Sequence, residues 1–519
     1  MTSSRSLFLF VYFVLLAESR KRNLPAQKPH IVFIYADDLG WNDVGWHNPT
    51  IPTPHLNKLA SEGVILNSMY AQPTCTPSRV SLLTGYYPFH TELQKAVMPV
   101  EALYLPDKYK LLPQYLKDLG YTTHMIGKWH LGFCNEKYTP TRRGFDSFYG
   151  ILSGSNDHYT HELGSPVPVS FSNKLILNSS IKGSLKSSLK VRVQTYSQGV
   201  DFRFNETSWK DDLRMYSTHA YTKRAVDIIR RHDPSTPLFM YMSYQAPHMP
   251  IDVPKRYADK FRHVEMQERR KYLGMVSAID ESVGAITRAL RTSKLMNNLL
   301  LIFTSDNGGN PYYGGNNWPL RGAKTSNWEG GTRVPTFVYS ETLLHRKKAT
   351  TNEMMHMIDW MPTLLEVAGR KPVYGIDGRS QWRMISRGTL SSREELVYNI
   401  EPNSGKGAIR VGDYKLLIGK PGMQNDWYPP PEDTHEPRMR YSGGKKDKVN
   451  VKSEHFFLYN IKDDPFEIHN LYKELPEVAE VLLSRFRSYN NTRKAPLERI
   501  IDPASNPENF RGFWSPGWC

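Results

Sequence analysis

The sequence predicts an α/β protein: a large, mostly parallel central sheet flanked by helices, then a small C-terminal α+β domain with an antiparallel sheet. Three observations lead there. Four apolar runs of strand length, 31–36, 121–126, 238–244 and 299–305, the first of them continuous, are separated by longer segments that include stretches of helical periodicity. Continuous rather than alternating apolarity marks strands buried on both faces, as in a parallel sheet covered by helices. Each run ends in polar, chemically capable residues, which is where open α/β sheets place their ligands. In the last quarter of the chain the pattern changes to short alternating runs and tight turns.

The length of 519 residues exceeds one typical core, so a large domain with a smaller companion is expected, with bounds read at 28–390 and 391–519. Hydrophobic residues at 39% and aromatics at 12% supply a substantial core, so the chain is globular. Arg5 and the apolar run 7–17, with small Ala17 and Ser19, read as a signal peptide over 1–19. The run is too short to span a bilayer, and no later one reaches about 18 apolar residues. No stable membrane insertion is therefore expected; a signal anchor held by Arg20, Lys21 and Arg22 is the weaker reading. The acceptor sequons Asn178-Ser-Ser, Asn205-Glu-Thr and Asn490-Asn-Thr fit a secretory chain, and Pro49 excludes Asn48. The net charge of +16 suits an anionic partner, and a secretory chain meets sulfated polysaccharide far more often than nucleic acid.

In chain order, the first strand stops at Asp37-Asp38-Leu39-Gly40. Residues 75–85 read Cys-Thr-Pro-Ser-Arg-Val-Ser-Leu-Leu-Thr-Gly, a helix-like turn with proline near its start. A helix over 111–119 ends at Gly120, and the next strand delivers Gly127-Lys128-Trp129-His130. The Ser- and Lys-rich stretch 165–198 reads as a surface excursion without catalytic role. A helix over 221–231 precedes the strand that delivers Gln245-Ala246-Pro247-His248, and a long helical stretch over 266–295 precedes the one that delivers Asp306-Asn307-Gly308-Gly309. Residues 359–369 form an amphipathic helix ended by glycine, and composition shifts over 375–392. In the small domain, 408–418 reads as a hairpin about Gly412-Asp413, 456–461 as a strand, 476–489 as a helix, and 428–452 as a Pro- and Lys-rich loop.

Asp37, Asp38, Asp306 and Asn307 offer hard oxygen ligands without histidine, favouring calcium or magnesium over zinc. Adjacent carboxylates repel unless a cation or hydrogen bonds offset them; the plainer reading makes each a helix or turn cap. Lys128 and His130 lie two apart, so an extended segment would put both on one face, as a cation for an anionic group and a base beside a nucleophile. His248 sits between Pro247 and Pro250, and Lys324 in a Gly-rich loop. Read alone, each is structural or solvated.

Cys75, with Pro77 two places on and Arg79 four places on, resembles the signature of type I sulfatases, in which the cysteine is oxidised to formylglycine. The bland alternative is a buried or disulfide-bonded cysteine ahead of a helix. Segments 36–40, 75–85, 127–132, 140–145, 305–309 and 317–331 resemble that family's ordered motif set, most closely the arylsulfatase B, I and J group. Asn317-Trp-Pro-Leu-Arg-Gly, Trp328-Glu-Gly-Gly and Asp502-Pro-Ala-Ser-Asn-Pro followed by Gly512-Phe-Trp are like that branch.

The resemblance implies an alkaline-phosphatase-like α/β domain with a small C-terminal domain. It implies one calcium ion held by Asp37, Asp38, Asp306, Asn307 and an oxygen of modified residue 75. Arg79 would hold the hydrated aldehyde, Lys128, His248 and Lys324 would bind sulfate, and His130 would be the base. The group carries a cysteine where this chain has Tyr138, with Cys134 nearby, so its disulfide scheme cannot be carried over; whether Cys134 and Cys519 pair stays open.

The expected reaction is sulfate ester hydrolysis: a hydroxyl of the hydrated aldehyde attacks sulfur, His248 or Lys324 protonates the departing alcohol, and His130 deprotonates the second hydroxyl so that sulfate leaves. Expected substrates are sulfated sugars of glycosaminoglycans such as N-acetylgalactosamine 4-sulfate, or aryl sulfates in vitro. Formylglycine-generating enzyme is the expected maturation partner, and the lysosome or the extracellular space the expected address. Two other readings stand beside this one: a phosphodiesterase or phosphonate hydrolase of the same superfamily, and an inactive sulfated-glycan-binding protein.

Overall fold

A computed structural model describes residues 27–168, 194–401, 407–432 and 455–519. The segment 1–19 read as a signal peptide, the Asn178 sequon and most of the 428–452 loop lie outside them. Among the described residues no helix is long and apolar enough to cross a membrane.

The strand His30–Ala36 lies at the middle of a ten-stranded sheet, between Leu299–Ser305 and Leu238–Ser243. Thr122–Lys128 and Ser147–Ile151 continue outward from Leu238–Ser243, and all five strands are parallel. Antiparallel partners extend the sheet on both sides: Phe337–Tyr339 and Val64–Leu66 on one, Arg203–Phe204 and Thr207–Ser208 on the other.

Continuous apolarity has the cause the sequence implied. Phe33, Tyr35, Phe239, Tyr241 and Ile302 pack to one face, against Leu82, Trp360 and Leu364. Val32, Ile34, Met240, Met242, Leu301 and Phe303 pack to the other, against residues of the helices Ser217–Arg231 and Gln267–Thr292. The strands also end flush: Ala36 pairs with Ser305, Tyr35 with Ser243, and Ser243 with Gly127. Asp37, Asp306 and Lys128 therefore emerge side by side at the C-terminal edge.

A separate four-stranded antiparallel sheet runs Glu395–Ile400, Gly407–Val411, Tyr414–Ile418, Phe456–Asn460. One face packs Ile409, Leu416 and Leu458 against Leu482 and Phe486 of the helix Pro476–Asn491. The other packs Tyr398, Leu417, Phe457 and Tyr459 against Tyr70 and Trp328 of the large unit. After that helix the chain returns to the large unit, where Ile501 bridges Glu101 and Phe513 bridges Val200. Cys134 and Cys519 form a disulfide, and Cys75 is a free thiol. Tyr138 is stacked on Tyr104 with ring centroids 3.8 Å apart.

Where the 165–198 excursion leaves and rejoins the described residues, Glu162–Pro168 pairs antiparallel with Gln194–Val200. Asn205 and Asn490 are partly exposed, and Asn205 Oδ1 accepts from the Phe148 N–H at 2.9 Å.

Candidate active site

The helix Cys75–Thr84 is buried along its whole length and ends at Gly85, whose φ of 71° is the left-handed conformation that closes helices. Its first residue faces the flush strand ends. Cys75 Sγ lies 3.4 Å from Asp37 Oδ1. One turn on, the Arg79 guanidinium donates to the Lys128 carbonyl (3.0 Å), Ser243 Oγ (2.5 Å) and Asp306 Oδ2 (2.9 Å). A single side chain thus ties three strand ends to the helix.

The remaining charges interlock. Lys128 Nζ is 2.5 Å from Asp37 Oδ2, and both side chains are fully buried. Lys324 Nζ donates to Asp38 Oδ2 at 2.7 Å, and His248 Nε2 lies 3.7 Å from the same carboxylate. Asp306 Oδ1 accepts the Asp38 N–H at 3.2 Å, and Asn307 Nδ2 donates to Asp38 Oδ1 at 2.7 Å. Asp38 and His130 hold left-handed backbones at φ 63° and 57°, a conformation non-glycine residues adopt only at a cost of about 1 kcal/mol or more.

Burial would raise the Asp37 carboxyl, but Lys128, His248, Arg79 and Lys324 outweigh it and hold it well below the usual carboxylate range. Asp306 is pushed up to about 7 by burial and by the charge of Asp37. Burial and the charges of Asp306 and Asp37 push the Cys75 thiol up, so it is a poor source of thiolate. Burial, then Lys324, lowers His248 to about 4. His248 Nδ1 lies 2.6 Å from the Met249 carbonyl, which only accepts, so the neutral ring carries its hydrogen there.

The same reasoning fixes His130. Its Nε2 is 3.1 Å from the Val97 carbonyl and carries the hydrogen; Nδ1 is buried without a partner, a free lone pair. Burial, Lys128 and Arg79 hold the ring well below its ordinary pKa, hence neutral. The 127–130 segment is not extended, as its same-face reading assumed: Gly127 has φ 104° and His130 φ 57°. The backbone bends there, and Thr76 Oγ1 donates to the His130 carbonyl at 2.9 Å, joining it to the helix of Cys75.

One ligand atom each from Asp37, Asp38, Cys75 and His248 lies within 4.8 Å of the others, a group able to hold a metal ion. Asn307 Oδ1 is buried with no partner, an orphaned acceptor beside this cluster. The structure brings all the predicted residues together: Asp37, Asp38, Cys75, Arg79, Lys128, His130, His248, Asp306, Asn307 and Lys324. Several supports were missed. Ser243 Oγ joins Arg79 to the Lys128 carbonyl; Tyr272 on the long helix accepts from the Gly40 N–H (3.1 Å) and donates to the Asp38 carbonyl (2.9 Å); Asn317 Oδ1 accepts from the Gly309 N–H at 2.8 Å. Ser243 ends the observed strand Leu238–Ser243, one residue inside the run 238–244 and two before Gln245, and that position was the available signal.

Residues 29–370 match the family model described as Sulfatase. The chain belongs to the sulfatase family. This sulfatase is 40% identical over 519 aligned positions to arylsulfatase J of Mus musculus, covering 94% of the chain and 80% of that protein. It is 29% identical to N-acetylgalactosamine-6-sulfatase of Rattus norvegicus, covering 76% of the chain and 72% of that protein. The fold matches the crystal structure of Ps i-CgsB in complex with k-i-k-neocarrahexaose at a TM-score of 0.72 and 24% identity, over 91% of this chain and 94% of that one. As a sulfatase it is a sulfuric ester hydrolase with the alkaline-phosphatase-like fold.

Proposed function

We propose that this sulfatase works through a formylglycine made from Cys75 and a calcium ion held by Asp37, Asp38, Asp306, Asn307 and residue 75. The catalytic domain is read as 28–390 and the small domain as 391–519. The observation that carries the reading is the state of Cys75: a buried free thiol amid the strand-end charges, pushed up and so inert unless chemically changed. Converted to formylglycine, it supplies a hydrated aldehyde with one hydroxyl for sulfur and a second whose deprotonation releases sulfate. Hard oxygen donors and the orphaned Asn307 Oδ1 suit calcium, which supplies charge for the sulfonyl oxygens.

The chain's own residues do the rest. Arg79 fixes the helix that bears residue 75 against Asp306 and the Lys128 carbonyl. Three carboxylates (Asp37, Asp38, Asp306) face three cations (Arg79, Lys128, Lys324), so a bound dication leaves an excess of positive charge for an anionic ester. Lys128, His248 and Lys324 bind that ester, and the free Nδ1 of His130 accepts a proton. Burial opposes the Lys324 charge, but Asp38 and the other site anions keep its ammonium protonated, so Lys324 remains a hydrogen-bond donor to the ester oxygens.

The net charge of +16 supports an anionic sugar polymer, and one relative is named for N-acetylgalactosamine 6-sulfate; a sulfated N-acetylgalactosamine of glycosaminoglycans is therefore the proposed substrate, the 4-sulfate being the position implied by the sequence resemblance, with aryl sulfates as in vitro substrates. The address is the secretory pathway, lysosomal or extracellular. The test is mass spectrometry of tryptic peptide 59–79 from a secretory host that has formylglycine-generating enzyme. Aldehyde at residue 75 is expected; thiol alone, in a host that converts a known sulfatase, overturns the mechanism. Faster hydrolysis of an aryl phosphate than of the matched sulfate would favour phosphoryl transfer instead.

A further inference from the structure

The small domain reaches the site through one buried charge cluster. Lys415, on the strand Tyr414–Ile418, points into the interface with the large unit, and its Nζ lies 2.9 Å from Glu329 Oε1 and 2.9 Å from Glu467 Oε1. All three side chains are fully buried. Glu329 belongs to the large unit and has further partners: Tyr70 Oη donates to Oε2 at 2.8 Å and Tyr398 Oη to Oε1 at 3.2 Å. The Glu329 N–H donates to Glu467 Oε2 at 2.7 Å. The small domain thus grips Glu329 by carboxylate and backbone together.

Glu329 opens the short turn Glu329–Thr332, which is wedged between two site-bearing segments. The Gly308 N–H, next after Asn307, donates to the Gly331 carbonyl at 3.0 Å. A Cβ on Gly308 would fall 1.8 Å from the Gly330 carbonyl, and one on Gly331 would fall 2.5 Å from the carbonyl of Ala323, the neighbour of Lys324. The Gly330 N–H donates to the Arg321 carbonyl, and the Lys324 N–H to the Gly309 carbonyl. With no room for a side chain, a shift of the turn is passed directly to Asn307 and Lys324.

A buried ion pair is weak ground for stability, since apolar residues of the same shape hold an interface as well. What charges add is direction. Resting on the function proposed above, we infer that Lys415 is a positioning residue: it holds Glu329, and through the Gly330-Gly331 turn it sets Asn307 for calcium and Lys324 for the sulfate ester. The small domain is then part of the catalytic apparatus through its hold on Glu329.

The test compares calcium affinity, by titration calorimetry on the full chain, with kcat and KM for 4-nitrophenyl sulfate. Lys415→Met is expected to bind calcium at least 10-fold more weakly and to raise KM, while still melting in one transition. Glu467→Gln, which keeps an oxygen for the Glu329 N–H, is expected to shift both in the same direction by about 3-fold and decides the matter if Lys415→Met does not fold. Arg485→Ala breaks the Arg485–Glu395 pair at the small domain's helix and serves as the control: it lowers Tm and leaves calcium affinity unchanged. Wild-type affinity in a folded Lys415→Met, or in Glu467→Gln where that variant decides, overturns the inference alone. Loss of affinity in Arg485→Ala equal to that in Lys415→Met overturns it as well, because any loosening would then suffice. A wild-type protein that binds no calcium overturns the proposed mechanism together with it.

Discussion

Lys128 and Asp37 are both fully buried at 2.5 Å, and neither can be deleted without stranding the other. Loss of one partner from such a pair costs about 3–5 kcal/mol, so activity lost on mutation must be read beside a melting curve. Lys128→Met is expected to lower turnover of 4-nitrophenyl sulfate by about 100-fold or more, the size associated with losing one preorganised charge contact, and to lower Tm as well. Cys75→Ser tests the nucleophile from the other side. A serine sulfate has no second hydroxyl to expel it, so rapid-quench kinetics should show one equivalent of alcohol released and then a stall; sustained turnover would sink the scheme. At this scale the sequence was informative, because acids, lysines and histidines at strand ends stand out. It could not show the left-handed backbones of Asp38 and His130, nor the orphaned Asn307 Oδ1, because these depend on what the neighbouring loops donate.

Strands and helices were legible where both faces are buried and opaque where one unit covers another. The four runs matched strands, three of them because apolar residues dominate each, and 122–128 although Thr122, Thr123 and His124 open it. Their lateral order could not be read, since each crossover leaves the choice of neighbour open. Lys415 is the sharper case. In Tyr-Lys-Leu-Leu-Ile, alternation places the lysine toward solvent, yet that face is sealed by Tyr70 and Trp328 of the large unit. The tight seat of the Glu329–Thr332 turn gives a prediction at this scale. Gly308→Ala must displace the Gly330 carbonyl, and it should weaken calcium binding at least 10-fold even where secretion and circular dichroism show a folded protein.

Across the whole molecule, two features tie the units together and each has a measurable signature. The Cys134–Cys519 disulfide closes a loop of 385 residues, so Cys519→Ser should lower unfolding stability by about 2–5 kcal/mol while kcat stays within twofold. The interdomain cluster sets a pH dependence. Burial, and then Glu329, push Glu467 up to about 7 despite Lys415, so the folded protein holds that proton more tightly than the unfolded chain does. The stability this contributes is full below about 4.5, the unfolded glutamate value, and is lost as pH rises through about 7. Glu329 is shifted the other way by Lys415, so its contribution is lost only below the ordinary glutamate value. Buried neutral histidines such as His130 and His248 act with the opposite sign, so the signature is read as a difference: the Tm gap between wild type and Glu467→Gln, measured with calcium saturating, should change between pH 4.5 and 7.5, and a gap that stays constant would show that another group is responsible.

Cys75 is 4% exposed, at the head of a helix with no free face. A modifying enzyme needs the side chain and several neighbours in its own cleft, which the closed fold does not offer. On the mechanism proposed above, conversion would compete in time with folding: a chain oxidised while still open would become an enzyme, and one that closed first would be kept as a thiol. The active fraction of a preparation would then record a race during synthesis, and a mutation that hastens folding could yield more protein and less activity.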